Sequence, residues 1–254
     1  MDMTDLEIHE LLRQYAAKYE TRGFLEGDPS CFMHKVKGDD NQEAMAFIAS
    51  GISYGSRKQF IPKIEWMRQQ AAGEVDEWIR YGKYASVLPA NDDDCFYRMQ
   101  TKACMHTFLH SYQLLMEEHY SLGNYLRHKA KGKMMTASQA VEHITSWFAL
   151  HGSGGVIPKN TTSACKRVCM FLRWMVRTNS PVDLGLWNDF IDRSSLIMPL
   201  DTHVMQQSCK LGLLKSRTTS MSTALHLSEV MKTIFPGDPL QGDFALFGYG
   251  VNNQ

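Results

Sequence analysis

The stretch Ser195-Leu196-Ile197-Met198-Pro199-Leu200-Asp201-Thr202-His203-Val204 puts one carboxylate between an apolar segment and the start of a helix. Pro199 bars helix before it, Leu196 to Leu200 is apolar enough to be buried, and Thr202 to Leu211 reads as a helix stopped by Gly212. Asp201 therefore stands at an N-cap, where its side chain accepts the first free backbone N–H groups. One carboxylate can cap a helix and serve chemistry at the same time, so both readings stay open at this residue.

Upstream, Ala164, Val168, Phe171, Leu172, Met175 and Val176 recur at three- and four-residue steps and predict an amphipathic helix from Thr162 to Arg177. It carries Lys166, Arg167, Arg173 and Arg177 with Trp174, a cationic content that suits either a nucleic-acid face or an ordinary solvated one. Helices are expected along most of the remaining chain. Thr4 with Glu7 and Asp40 with Glu43 form capping boxes for Leu6 to Tyr19 and for a helix ending at Ile52. Ser56 to Ala72, with Pro62 as a perturbation inside it, and Val75 to Tyr84 follow, then the longest periodic run, Cys95 to His119. Thr136 and Gln139 cap a helix to Leu150, Leu186 to Ile191 reads as a short one, and Ser222 to Ile234 and Gly242 to Gly250 close the series. With no alternating strand of useful length, the fold class is all-α. Arg127 to Lys133 is the one dense basic run, either a solvated linker or a phosphate contact through Lys129, Lys131 and Lys133.

The Leu-Asp-Thr-His-Val string, with Leu211-Gly212-Leu213 after it, resembles the catalytic-aspartate segment of the helix-hairpin-helix DNA glycosylases, the superfamily of endonuclease III and the 8-oxoguanine glycosylases. Glu43 to Arg68 is similar to the early helix, loop and helix by which those enzymes wedge into a duplex, and Asp238-Pro239 to Gly250 is similar to their closing helix. The matching segments cover about half the chain, as in a divergent branch near that superfamily. The superfamily's hairpin turn has no match here beyond His151-Gly152-Ser153-Gly154-Gly155-Val156, whose glycines Gly152, Gly154 and Gly155 suit a backbone cradle for phosphate or a plain flexible loop. Lys166, 35 residues before Asp201, stands where the resemblance implies the catalytic lysine, at a spacing closer to the archaeal 8-oxoguanine glycosylases.

The resemblance implies a single all-helical unit over 1–254 made of two lobes with a cleft between them, one of about 95–210 and the other from both termini. It implies a damaged DNA duplex as partner, base excision with or without AP-lyase activity, Asp201 and Lys166 as catalytic residues, and no cofactor. Tyr54 or Gln59 would fill the gap left by a flipped base, Arg57 and Lys58 would hold phosphates, and Trp147, Trp174 and Trp187 would line the base pocket or serve as core. The iron–sulfur cluster of the endonuclease III branch is not expected, because no four-cysteine array lies near the C-terminus. A noncatalytic helical module that binds nucleic acid or another partner is the alternative from a different class.

Composition sets outer limits. At 254 residues, 44% hydrophobic and 21% charged, the chain is long enough for a full core. Lys+Arg and Asp+Glu balance at 27 each, so any DNA-binding face has to be local. Six cysteines without a Cys-x-x-Cys pair read as reduced residues of a cytosolic protein, and no apolar run approaches the length of about 18 residues that a membrane span requires. His106 and His110 share a helix face at metal-ligand spacing, but no glutamate accompanies them as in a zinc hydrolase. Ser153 lies in Gly-Ser-Gly-Gly without the strand that a nucleophile elbow needs. Both enzyme classes are set aside.

Overall fold

A computed structural model describes residues 3–253 and is all-α apart from one short hairpin. Eleven α-helices run in chain order among the described residues: α1 (Asp5–Tyr19), α2 (Asp39–Ile52), α3 (Arg57–Gln70), α4 (Val75–Arg80), α5 (Lys102–His119), α6 (Leu122–Ala130), α7 (Ala137–His151), α8 (Lys166–Val176), α9 (Thr202–Lys210), α10 (Met221–Ile234) and α11 (Gln241–Asn252). The strands β1 (Cys95–Tyr97) and β2 (Gln100–Thr101) pair antiparallel. Among the described residues no helix is long and apolar enough to cross a membrane.

The chain divides into two compact units. The first comprises Met1–Phe24, Met135–Gln139 and Thr161–Gln254, and the second comprises Leu25–Met134 and Ala140–Asn160. The expected lobe of about 95–210 does not appear, because its first part packs with the helices before it. Within the second unit the hairpin and α5 lie against α3 and α4, whereas within the first unit α1 packs along α11, which also meets α9.

The core of the second unit is built around α2, whose residues from Glu43 to Ile52 are all buried. A helix apolar on every side is enclosed on every side. Phe47 meets Tyr112 at 4.9 Å, Phe148 at 5.3 Å and Phe108 at 5.5 Å between ring centroids. Gly51 lets Val156 and Phe108 approach where a Cβ would collide with the Val156 side chain. In the first unit the apolar face of α8 is buried together with Leu12, Trp187, Leu227 and Phe244.

Several expectations are corrected. The capping boxes at Thr4/Glu7 and Thr136/Gln139 form. The one at Asp40/Glu43 does not: Gly38 is the N-cap of α2 and makes no side-chain cap, while the buried Glu43 carboxylate accepts the Leu122 and Gly123 N–H groups at 2.8 and 3.2 Å. Glu43 thus caps α6, a helix hidden in sequence by the basic run. Residues 95–101 form the hairpin rather than the first turns of a helix, and Leu186 to Phe190 is a turn, after which Ile191 pairs with Met135 in an isolated bridge.

Candidate functional site

Both residues that the resemblance singles out belong to the first unit and touch. Asp201 takes extended geometry (φ −116°, ψ −176°) and caps α9, its Oδ1 accepting the Val204 N–H at 2.8 Å. Leu196, Ile197, Met198 and Leu200 before it are each no more than 1% exposed, and the Met198 N–H donates to Ser228 Oγ at 2.9 Å. The apolar run therefore fixes the backbone that presents the carboxylate.

Lys166 does not lie inside a helix begun at Thr162 but is the first residue of α8. Ser163 pairs with Ser220 in an isolated antiparallel bridge, and Cys165 turns the chain through the left-handed region (φ +46°). An ammonium at a helix start is opposed by the helix dipole, so it needs a counter-charge. Asp201 supplies it: Lys166 Nζ donates to Asp201 Oδ2 at 2.9 Å, with the two side chains 36% and 35% exposed. Burial pushes the Asp201 carboxyl up, but the Lys166 charge and hydrogen bond, the Val204 N–H and His203 outweigh it and hold the carboxyl below its ordinary value.

Two further cations of α8 do not lie on a basic outer face. Arg173 and Arg177 are 3% and 1% exposed. Arg173 donates to Asp183 Oδ1 at 3.2 Å and to Asp243 Oδ2. Arg177 forks onto both Asp238 oxygens at 2.9 Å, donates to Asp183 Oδ2 at 2.5 Å and pairs with Glu20 at 2.8 Å. Lys166, Arg173 and Arg177 are seven and four residues apart, so they line one face of the helix. Asp243, in the first turn of α11, is raised above its ordinary value by burial, countered by Arg173, and the charge of Asp201 raises it further. Neither Asp243 nor the buried pairs figured in the sequence reading, because each acidic partner sits on another segment.

The residues expected on a DNA-binding rim all belong to the second unit. Arg57, Lys58 and Gln59 are exposed in the first turn of α3, Arg57 pairing with Asp28 at 3.3 Å. Tyr54 is half-buried, its hydroxyl bonded to the Gln100 side chain and its ring meeting Tyr97 edge-on at 4.9 Å. Lys129, Lys131 and Lys133 are exposed around the C-terminus of α6. The glycine turn has a packing origin. A Cβ on Gly154 (φ +55°) would lie 1.9 Å from the Cys104 carbonyl oxygen of α5, and one on Gly152 would lie 2.8 Å from Thr107. The Gly152 and Gly155 amides already donate to Phe148 O and Ser153 Oγ, so they form no open cradle.

The three tryptophans are core residues, at 8% exposure for Trp147, 0% for Trp174 and 2% for Trp187. Trp147 stacks on His151 and donates to Ser111 O, and Trp187 meets Phe171 edge-on. None presents an open face to a base. His106 Nδ1 lies 2.8 Å from Leu88 O, and His110 stacks beside it at 6.2 Å.

A family model described as a protein of unknown function, DUF2400, matches residues 28–252, and the chain belongs to this family. No curated protein and no solved structure matches the chain.

Proposed function

We propose that the protein is a DNA glycosylase-like enzyme that removes a damaged base, with Asp201 and Lys166 as its catalytic residues. The contact of Lys166 Nζ with Asp201 Oδ2 at 2.9 Å carries the reading. An amine and an ionised carboxylate, both open to solvent at two helix starts, are what the chemistry requires. As the glycosidic C1′–N bond breaks, its electron pair leaves with the base and positive charge develops on the sugar. Asp201, which stays ionised, stabilises that charge. Lys166, after yielding a proton to the departing base, adds its lone pair to C1′. The ring then opens, O4′ taking the C1′–O electron pair and the proton from the amine nitrogen, and a Schiff base remains. Exposed Arg57, Lys58, Lys129, Lys131 and Lys133 would meet phosphates.

The test is borohydride trapping on a panel of duplexes with single damaged bases or an abasic site. Reduction fixes the Schiff base as a stable adduct, expected with wild type and absent with Lys166→Gln. An adduct of equal yield in the variant moves the role to another amine. A noncatalytic helical module that binds nucleic acid or another partner is the second reading, favoured by the glycine turn, whose bonded Gly152 and Gly155 amides lack the open cradle of a glycosylase hairpin. It predicts duplex binding with no adduct on any substrate.

A further inference from the structure

His106 and His110, at metal-ligand spacing on α5 of the second unit, play no part in the chemistry above. The hydrogen bonds around them decide which ring nitrogen carries the proton. The half-buried His106 ring has Nδ1 2.8 Å from Leu88 O. A carbonyl only accepts, so Nδ1 carries the proton and Nε2 keeps its lone pair. For exposed His110 the same result follows through two further side chains. Gln113 Nε2 faces two acceptors, Arg80 O at 3.3 Å and Glu117 Oε1 at 3.0 Å, which turns the amide oxygen toward Tyr84. Tyr84 Oη donates to that oxygen at 2.8 Å, so it is left to accept from His110 Nδ1, 3.4 Å away. Both rings therefore hold the proton on Nδ1, and among the described residues no hydrogen bond engages either Nε2.

A histidine that binds a metal through one ring nitrogen almost always donates its other N–H to a carbonyl, a carboxylate or water, which fixes the ring and raises its basicity. His106 has a carbonyl in that role, and His110 has a phenol backed by Gln113 and the Glu117 carboxylate. The two rings stand 28° from parallel with centroids 6.2 Å apart. Two imidazoles on one tetrahedral ion have centroids about 5 Å apart, so the exposed His110 ring has about 1 Å to travel. Lys102, the only Lys or Arg of α5, is paired with Asp92 and Asp94 at 2.7 and 3.2 Å, so it does not oppose a metal ion one turn away. We propose that His106 and His110 bind a divalent transition-metal ion of the Zn²⁺ class through their Nε2 atoms, with Leu88 O and the Tyr84–Gln113–Glu117 chain positioning the rings. Imidazole nitrogen suits Zn²⁺, Cu²⁺ and Ni²⁺, whereas Mg²⁺ and Ca²⁺ take oxygen ligands. Among the described residues no three or more His, Cys, Asp or Glu side chains converge, so water completes the coordination and the ion is exchangeable. The absence of a glutamate beside the histidines excludes a zinc hydrolase and leaves a cation site intact. This assignment is independent of the base-excision reading.

The probe is Zn²⁺ alone, titrated into the full chain labelled with nitrogen-15 at histidine, after treatment with a chelator and desalting. Before Zn²⁺ is added, the spectra are expected to place the proton of both rings on Nδ1. Zn²⁺ then shifts the His106 and His110 Nε2 resonances together and saturably while both Nδ1–H groups persist, and calorimetry on the same sample reads the affinity. His110→Gln, at an exposed position that leaves folding intact, abolishes the shift at His106. Tyr84→Phe keeps the ring in the core, removes the acceptor for His110 Nδ1–H and weakens binding about tenfold, as loss of an outer-shell partner does. The pair His119 and His128, with Nδ1 atoms 3.4 Å apart in the same unit, is the internal control, and His128→Gln leaves the His106 and His110 shifts unchanged. No binding by wild type, Zn²⁺ shifts at His119 and His128 in place of His106 and His110, or undiminished affinity in His110→Gln overturns the site. Undiminished affinity in Tyr84→Phe, or a proton found on Nε2 of either ring, overturns the positioning chain.

Discussion

Asp201→Asn separates the charge of this carboxylate from its capping hydrogen bond, and the structure sets the size of both effects. Asn caps about as well as Asp, so the bond that the Val204 N–H makes at 2.8 Å survives. The lost partner is Lys166, and because both side chains are about one-third exposed, solvent screening limits their pair to at most about 1 kcal/mol. In a chain of this size that is a fall in Tm of no more than about 2–4 °C. Asp201→Ala, which also removes the cap, costs about 1 kcal/mol more. The effect on base excision is of another order: a preorganised group facing charge that develops in the transition state contributes about 3–4 kcal/mol, or 10²–10³ in rate. Single-turnover excision at saturating enzyme, beside thermal unfolding of the same samples, reads both quantities. Excision by the Asn variant at the wild-type rate would reduce Asp201 to a cap. The pH dependence gives an independent check. Asp201 is held below its ordinary value in the fold, so its contribution to stability is complete above about pH 4 and is lost as pH falls through the lowered value. Asp243, raised in the fold, acts in the opposite sense, so the informative quantity is wild type minus variant across acid pH.

Other substitutions test the parts around this pair. Arg177→Met leaves the buried carboxylates of Asp183 and Asp238, and the half-buried one of Glu20, without their shared cation and is expected to cost about 3–5 kcal/mol in urea unfolding; a loss under about 1 kcal/mol would mean that the network is not what holds α8. Gly154→Ala forces a Cβ onto the Cys104 carbonyl at positive φ and should destabilise by more than about 2 kcal/mol while leaving the salt dependence of DNA binding unchanged. A flattened salt slope in that variant would return the glycine turn to a phosphate role. Glu43→Gln weakens the cap on α6 by about 1–3 kcal/mol, and amide exchange at Leu122 and Gly123 should accelerate; unchanged protection there would contradict the assignment.

Where local chemistry alone decides an element, the sequence is a sufficient guide. Pro199, Asp201 and Gly212 punctuate α9 because each acts on its own backbone, and the apolar spacing of α10 and α11 survives folding for the same reason. Asp40 and Glu43 show the limit. The pattern of a capping box is present, but Glu43 finds two backbone N–H groups of a distant helix and leaves its own helix start. Strands of two and three residues carry too few positions to show alternation, so β1 and β2 are indistinguishable in sequence from the helix that follows them. In α6, Ser121, Leu122, Tyr125 and Leu126 have the cap and the spacing of an amphipathic helix, visible once the lysines after them are read as its solvated end.

The candidate site has the same division between local and distant causes. That Lys166, Arg173 and Arg177 share one face follows from helical spacing; which way the face turns does not, since Asp183, Asp201, Asp238 and Asp243 are brought to it from other segments. The three pairings then differ in one property that bears on chemistry. Arg173 and Arg177 are sealed among their carboxylates, and exchanging those partners for a substrate would strand buried charge at a cost of several kcal/mol. Lys166 and Asp201 are a third exposed, so their pair can open for about 1 kcal/mol or less. The buried arginines therefore fix α8 in place, and the exchangeable pair at its exposed start is the one point on this face where a sugar could displace an ammonium from a carboxylate.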